Sequence, residues 1–173
     1  MDMSSELGHL PPLALVGAAF LAGMGMLGRE QRRSHGASPE RTAELGRWAI
    51  TALLLTAALA HVPLIPEHVE EAPYMGTLFV GFSLAAFGVA TALALRPSRI
   101  WYVVAISLCV AALTAYVATR LVAFPQLADD VGVWAEPLGL VSVAAETGVV
   151  MLGALAVRRS ASSNRRPRVP SAG

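Results

Sequence analysis

The arginines of this chain fall into three clusters, and apolar runs separate these clusters from acidic segments. The chain has 13 basic residues and no lysine. The clusters are Arg29, Arg32, Arg33, Arg41 and Arg47, then Arg96 and Arg99, then Arg158, Arg159, Arg165, Arg166 and Arg168. Arg120 alone lies outside them. Because basic loops stay on the cytoplasmic side of a membrane, this sorting is typical of a polytopic membrane protein.

The composition agrees with a chain that lies largely in lipid. Hydrophobic residues make up 55% of the sequence and charged residues 14%, where soluble domains have about 25% charged residues. A helix needs about 20 apolar residues to cross a bilayer. Runs of about this length cover residues 10–28, 48–65, 75–95, 100–124 and 138–157. The sequence therefore predicts an all-α membrane bundle with five transmembrane helices over residues 1–157.

The charges on either side of the first run set the orientation. Residues 1–9 carry Asp2 and Glu6 and no basic residue, whereas arginines follow the run. This order is the reverse of a secretory signal peptide, so we expect a retained span with the N-terminus outside. Five spans then place the C-terminus and all three arginine clusters inside. We expect a multi-pass protein of the bacterial cytoplasmic membrane.

The basic segments also indicate the partners. Arginines directly beside apolar helices favour anionic lipid headgroups on the cytoplasmic side over nucleic acid. Residues 158–173 are basic and rich in serine and proline, so they are predicted to form a disordered cytoplasmic tail. Small residues at helical spacing, such as Gly81, Ala85, Gly88, Gly148 and Gly153, are expected to mark close contacts between helices. Other membrane subunits are a further class of partner.

Three polar residues within the runs are candidates for function. Glu146 lies about 12 Å into the last run, at 1.5 Å per residue, and Arg120 lies near the outer end of the fourth. Charges at membrane depth are costly, so we expect Glu146 to be neutral or to pair with Arg120. His61, in the second run, lies at a similar depth. The three residues predict an outward-facing polar funnel with Glu146 at its base.

A cation or proton site is the most specific functional hypothesis for this funnel. Glu67, His68 and Glu71 would lie within one turn of each other if the chain is helical after Pro66. Carboxylates and imidazoles together suit a divalent transition metal. The candidate metal ligands are His61, Glu67, His68, Glu71 and Glu146, with Arg120 as charge partner. In the proton version, His61, Glu146 and Arg120 form a relay.

Three alternatives remain open on the sequence. The loops on the outer side can be acidic because of the membrane topology alone, without any binding site. In that case Arg120 and Glu146 form a structural bridge between helices. The protein can be an accessory subunit of a larger membrane complex without a site of its own. It can also be a membrane enzyme that acts on lipid or quinone, which needs a lateral opening near Glu146. An enzyme is the less favoured class, because the chain has no P-loop, no GxSxG and no dinucleotide fingerprint.

The stretch from His61 to Gly76, HVPLIPEHVEEAPYMG, resembles a pattern in uncharacterised small multi-spanning integral membrane proteins of high-GC bacteria. Those proteins also tend to carry an acidic residue in the last span, as Glu146 does here. The arginine-only, alanine-rich composition fits such a source. The resemblance implies a polytopic membrane protein and adds weight to His61, His68 and Glu71. It implies no catalytic or binding role.

Overall fold

The computed structural model describes residues 38–163, and this part of the chain is helical without any strand. Its α-helices are α1 (Pro39–His61), α2 (Ile65–Glu71), α3 (Pro73–Leu95), α4 (Arg99–Leu121) and α5 (Pro137–Ser163). Short 3₁₀ helices cover Val62–Leu64 and Ala128–Asp130. The all-α prediction is confirmed over these residues.

Four of the helical segments are long and apolar enough to cross a membrane. They are Glu40–Glu71, Pro73–Leu95, Arg99–Leu121 and Pro137–Ser160. They match the second to fifth of the predicted spans, and the protein is accordingly a membrane protein. The first predicted span, residues 10–28, lies outside the described residues.

The chain divides at Leu45 into two compact units, and residues 38–44 are the described part of the first.

Prolines and a serine cap account for most of the helix starts. Ser38 Oγ accepts a hydrogen bond from the Arg41 N–H at 3.4 Å, which satisfies one of the free donors at the start of α1. Proline stands in the first turn of α2 and of α3, where its missing N–H costs no helical hydrogen bond.

The boundaries differ from the sequence prediction in three places. The acidic stretch after the second span is helical and forms α2. Pro63 lies in the 3₁₀ turn after α1, and Pro66 lies in the first turn of α2, so the prolines separate two helical segments and do not begin a loop. Helix α4 ends at Leu121 and leaves residues 122–124 extended or irregular ahead of Pro125.

The third difference is at the C-terminal end of the last helix. Helix α5 continues past the expected boundary at Val157 to Ser163. Arg158 and Arg159 lie on this helix, ahead of its last turn. Residues 164–173 lie outside the described part.

Opposite charges collect at opposite ends of the described bundle. At the basic end, Arg47 Nη1 donates to the carbonyl of Ala94 at 2.9 Å, which joins α1 at Arg47 to the end of α3. At the acidic end, Tyr74 donates to the carbonyl of Pro125 at 2.7 Å and so joins the start of α3 to the loop between α4 and α5, which carries Asp129, Asp130 and Glu136. These contacts show that the predicted sorting of charge along the sequence is also a sorting in space.

The main core lies toward the basic end. It includes Ile50 and Leu54 of α1, Leu93 of α3, Cys109 of α4 and Val149 of α5, all fully buried. A smaller cluster of Ala72, Met75 and Leu127 lies at the acidic end, beneath the connections. Between these two clusters the helices enclose the cavity described below.

The small residues have unequal roles in helix packing. A Cβ at Gly148 would lie 2.8 Å from a methyl of Leu53, and one at Gly153 would lie 2.9 Å from Ile106, so these two glycines mark close contacts on α5 as predicted. Gly81 and Gly88 have open space around them. Among residues 38–163 these two glycines mark no contact between helices, because α3 directs the face that carries Ala86, Ala90 and Leu93 into the core.

Candidate functional site

A cavity of about 370 Å³ lies in the acidic half of the bundle. The ends of α1 and α2, the first turns of α3 and α5 and the last turns of α4 line it. Most of its wall is apolar, with Phe79, Phe82 and Leu108 among the lining side chains. Its volume falls within the range of roughly 300–1,000 Å³ that is usual for small-molecule sites. The cavity can therefore accommodate an organic ligand.

The carboxyl group of Glu146 lies at the wall of this cavity and is only 2% exposed. Ser142, one turn earlier on α5, donates from Oγ to Glu146 Oε1 at 2.7 Å. The same Oγ lies 3.4 Å from His61 Nδ1. The serine hydroxyl therefore links a carboxyl of α5 to an imidazole at the end of α1.

The histidines at the cavity share one hydrogen-bond pattern. His61 Nδ1 lies 2.8 Å from the carbonyl of Ala57, and His68 Nδ1 lies 2.9 Å from the carbonyl of Leu64. A carbonyl only accepts, so each contact assigns a proton to Nδ1 and leaves the lone pair of the neutral ring at Nε2. Both rings pack against Phe79, with centroid separations of 4.9 and 4.8 Å. Helix geometry thus fixes the tautomer at both positions.

Arg120 lines the cavity from the last turn of α4, and its partner is Asp130. Its Nη1 lies 3.0 Å from Asp130 Oδ2, and the guanidinium lies 4.9 Å from the centroid of the Tyr116 ring. The expected pairing with Glu146 is not formed. The reason is local: the N–H of Gly132 donates to the carbonyl of Arg120, which folds the loop back over α4 and brings Asp130 to the guanidinium.

The guanidinium of Arg120 is not fully satisfied. Among residues 38–163, its Nε is the one side-chain nitrogen or oxygen that is wholly shielded from solvent and has no hydrogen-bond partner. A buried donor without a partner costs free energy, so Arg120 depends on Asp130 to remain in place.

Hydrogen bonds fix the loop between α4 and α5 at the acidic end of the cavity. Tyr116 donates to the carbonyl of Trp134 at 2.9 Å, which holds the second connection against α4. Glu136 Oε2 accepts from the Gly139 N–H at 3.1 Å and so caps the start of α5. The cavity therefore has a defined rim on this side.

On another side the cavity opens between α3 and α4. The lining residue Leu78 on α3 is 58% exposed, and Ala111 and Ala115 on α4 are exposed as well. In the described part of the chain, the buried core residues that these two helices share, such as Leu93 and Ala105, lie toward the basic end. The result is a lateral opening on the apolar surface of the bundle, near the wall that carries Glu146.

The structure brings some of the predicted site residues together and leaves others apart. His61, His68, Arg120 and Glu146 all line the cavity, whereas Glu67 and Glu71 are exposed on α2 and do not line it. Within residues 38–163, no three His, Cys, Asp or Glu side chains lie close enough together to hold a metal ion. The five-residue metal set stays a prediction.

Ser142 is the site residue that the sequence analysis missed. Its spacing of four from Glu146 places both on one helix face, and this spacing was the available signal. The Ser142, His61 and Glu146 side chains do not form a hydrolytic triad. In a triad the histidine lies between serine and carboxylate, whereas here the carboxyl group binds the serine directly and His61 Nδ1 binds a backbone carbonyl.

Comparisons with protein-family models, with curated proteins and with solved structures find no match to this chain.

Proposed function

We propose that the chain is a five-span protein of the bacterial cytoplasmic membrane, with its N-terminus outside and its C-terminus inside. The spatial sorting of charge supports this orientation. Arg96 and Arg99 occupy the connection at one end of the bundle, and the acidic connections occupy the other. The positive-inside rule assigns the arginine end to the cytoplasm, where it meets anionic lipid headgroups. Residues 10–28 supply the fifth span.

Reporter fusions test this topology. Alkaline phosphatase fused after Pro66 is expected to be active, because that site lies on the outer side, and the fusion after Pro97 is expected to be inactive. Green fluorescent protein at the same two sites should give the opposite pattern. Activity of the same reporter at both positions would contradict the map, and the outward orientation of the cavity with it.

The cavity is proposed to bind a cation from the outer side, as part of a binding or transport-related activity. The observation that carries the proposal is the charge of the lining: three carboxyl groups, Asp130, Glu136 and Glu146, face one guanidinium. Because Arg120 is paired with Asp130, Glu136 and Glu146 remain without an opposite charge at this site. A buried carboxyl at membrane depth is a functional group by default. A cation that enters the cavity supplies the missing positive charge.

Protection of Glu146 from chemical modification tests cation binding. Dicyclohexylcarbodiimide, an apolar reagent, is expected to modify Glu146 in the protein without added cations, as read by mass spectrometry of its peptide. A panel of octylammonium, Zn²⁺ and Mn²⁺ at saturating concentration should contain at least one ion that slows the reaction about tenfold or more.

Two controls accompany this measurement. Glu146→Gln should show no modification at position 146, and exposed Glu70, which belongs to no proposed site, should react equally with and without cations. If no cation in the panel changes the rate at Glu146, the proposed function is wrong. Protection by Zn²⁺ or Mn²⁺ would instead favour the metal set of His61, Glu67, His68, Glu71 and Glu146.

A further inference from the structure

The hydroxyl groups that line the cavity are already used as donors within the protein. Each of them donates to a carbonyl or carboxyl oxygen of the protein, namely Thr77 to Pro73, Tyr116 to Trp134, Thr119 to Tyr116 and Ser142 to Glu146. The Arg120 guanidinium is the remaining donor group, and Asp130 and the ring of Tyr116 engage it. The donors that remain for a ligand therefore belong to one group, the Arg120 guanidinium, which is engaged in part and whose Nε is shielded from solvent.

The rest of the unused hydrogen-bonding capacity consists of acceptors. Glu146 uses Oε1 to accept from Ser142, and its Oε2 has no partner among the described residues. The Nε2 atoms of His61 and His68 are likewise without a partner there, because both rings use Nδ1 for a backbone carbonyl. A ligand that complements these groups must supply N–H or O–H donors.

The rest of the cavity wall is apolar and favours a hydrocarbon group of the ligand. Phe79 and Phe82 contact the His61 ring, and Leu78 and Leu108 belong to the lining as well. Aromatic faces attract cations as well as apolar groups. The opening between α3 and α4 gives an apolar chain a path from the site to the surface of the bundle. One ligand must therefore combine a donor-bearing positive head with an apolar body.

We propose that the cavity binds an amphipathic organic ammonium ion, whose N–H groups donate to Glu146, His61 and His68 while its hydrocarbon part lies on the apolar wall toward the opening between α3 and α4. This inference rests on the proposed cation binding and names the class of cation. A bare metal ion fits less well, because no three metal-binding side chains converge in residues 38–163 and most of the lining is apolar.

Titration calorimetry on the full chain in lipid nanodiscs tests the inference with three probes of equal chain length. They are octylammonium, octyltrimethylammonium and octanol, each corrected for its heat with empty nanodiscs. Octylammonium is expected to bind saturably. It should bind about tenfold or more tightly than octyltrimethylammonium, which has the charge without N–H donors, since hydrogen bonds to charged groups are among the strong ones. Octanol should show no saturable binding above partition into lipid.

A pair of variants assigns the binding to the cavity. Glu146→Gln keeps the shape of the side chain and removes its charge, so octylammonium affinity should fall about tenfold or more. Asp129→Asn removes a charge from an exposed acidic neighbour of the site and should leave affinity unchanged. The comparison of the three probes needs only the wild-type protein. The inference therefore stays testable even if the Glu146→Gln protein does not fold.

The possible failures are distinct. Protection of Glu146 by Zn²⁺ or Mn²⁺ without octylammonium binding would overturn this inference and keep the proposed cation site. Equal affinity for octylammonium and octyltrimethylammonium would also overturn it, because donors would then play no part. Equal saturable binding of octanol would show that the cavity takes any amphiphile. The absence of protection by every cation would overturn the proposed function itself.

Discussion

Replacement of Asp130 by asparagine is expected to lower the free energy of unfolding by about 1–3 kcal/mol. The carboxylate lies 3.0 Å from Nη1 of Arg120, whose side chain is 8% exposed. Loss of one partner of a fully buried pair costs about 3–5 kcal/mol, because the other charge remains in a site of low polarity. Asp130 is 32% exposed, and water near it reduces the loss to the lower range.

Unfolding in detergent, followed by helicity as dodecyl sulfate is added, measures this effect. Asp129→Asn is the matched control, because Asp129 is exposed and adjacent and no contact of its side chain is part of the site. Its effect should stay within about 0.5 kcal/mol. Equal stability of the two variants would mean that the Arg120–Asp130 contact contributes nothing to the fold, and that the loop over α4 is held by its other bonds.

Gly76→Ala is expected to destabilise the protein by about 1–3 kcal/mol through overpacking. A Cβ at Gly76 would lie 2.9 Å from the backbone nitrogen of Val69 and 3.0 Å from its Cα. Both are backbone atoms, so the new methyl cannot be accommodated by rotation of a side chain. Helix α2 would have to move away from α3. Thermal unfolding of the variant in detergent, followed by circular dichroism, measures the change.

Gly88→Ala on the same helix is the control for this substitution. Gly88 has open space around it, so alanine there adds helix propensity without a clash and should stabilise the protein by about 0.5–1 kcal/mol. The two substitutions therefore have expected effects of opposite sign. If Gly76→Ala is as stable as Gly88→Ala, the close approach of α2 and α3 is not a packing constraint.

The sequence was sufficient for the four described spans and for the sorting of charge between the two ends. Hydrophobic runs and proline positions are local signals, and they carry enough information to place helices such as α3 within two residues. The depth of Glu146, His61 and Arg120 followed from simple rise per residue. Their common cavity agrees with that estimate of depth.

The pairing of side chains was not predictable in the same way. Arg120 binds Asp130 because the connection after α4 reverses direction, with Gln126 and Gly132 in positive φ, and a loop path of this kind has no periodic signal. The position of Glu67 and Glu71 outside the cavity depends on the rotation of α2, which a 3₁₀ turn sets. The depth of a residue can be counted from the sequence, but the direction that its side chain faces cannot.

The uneven packing of α3 and α4 has a further consequence. Ala90 and Leu93 of α3 belong to the same buried cluster as Ala105 and Cys109 of α4, whereas toward the acidic end both helices line the cavity. Among the described residues, side-chain packing joins the two helices toward the basic end, and the cavity separates them toward the acidic end. If the cavity takes the proposed ligand, Glu146, His61 and His68 would recognise its charged head, whereas the apolar wall would place few demands on the shape of its hydrocarbon part.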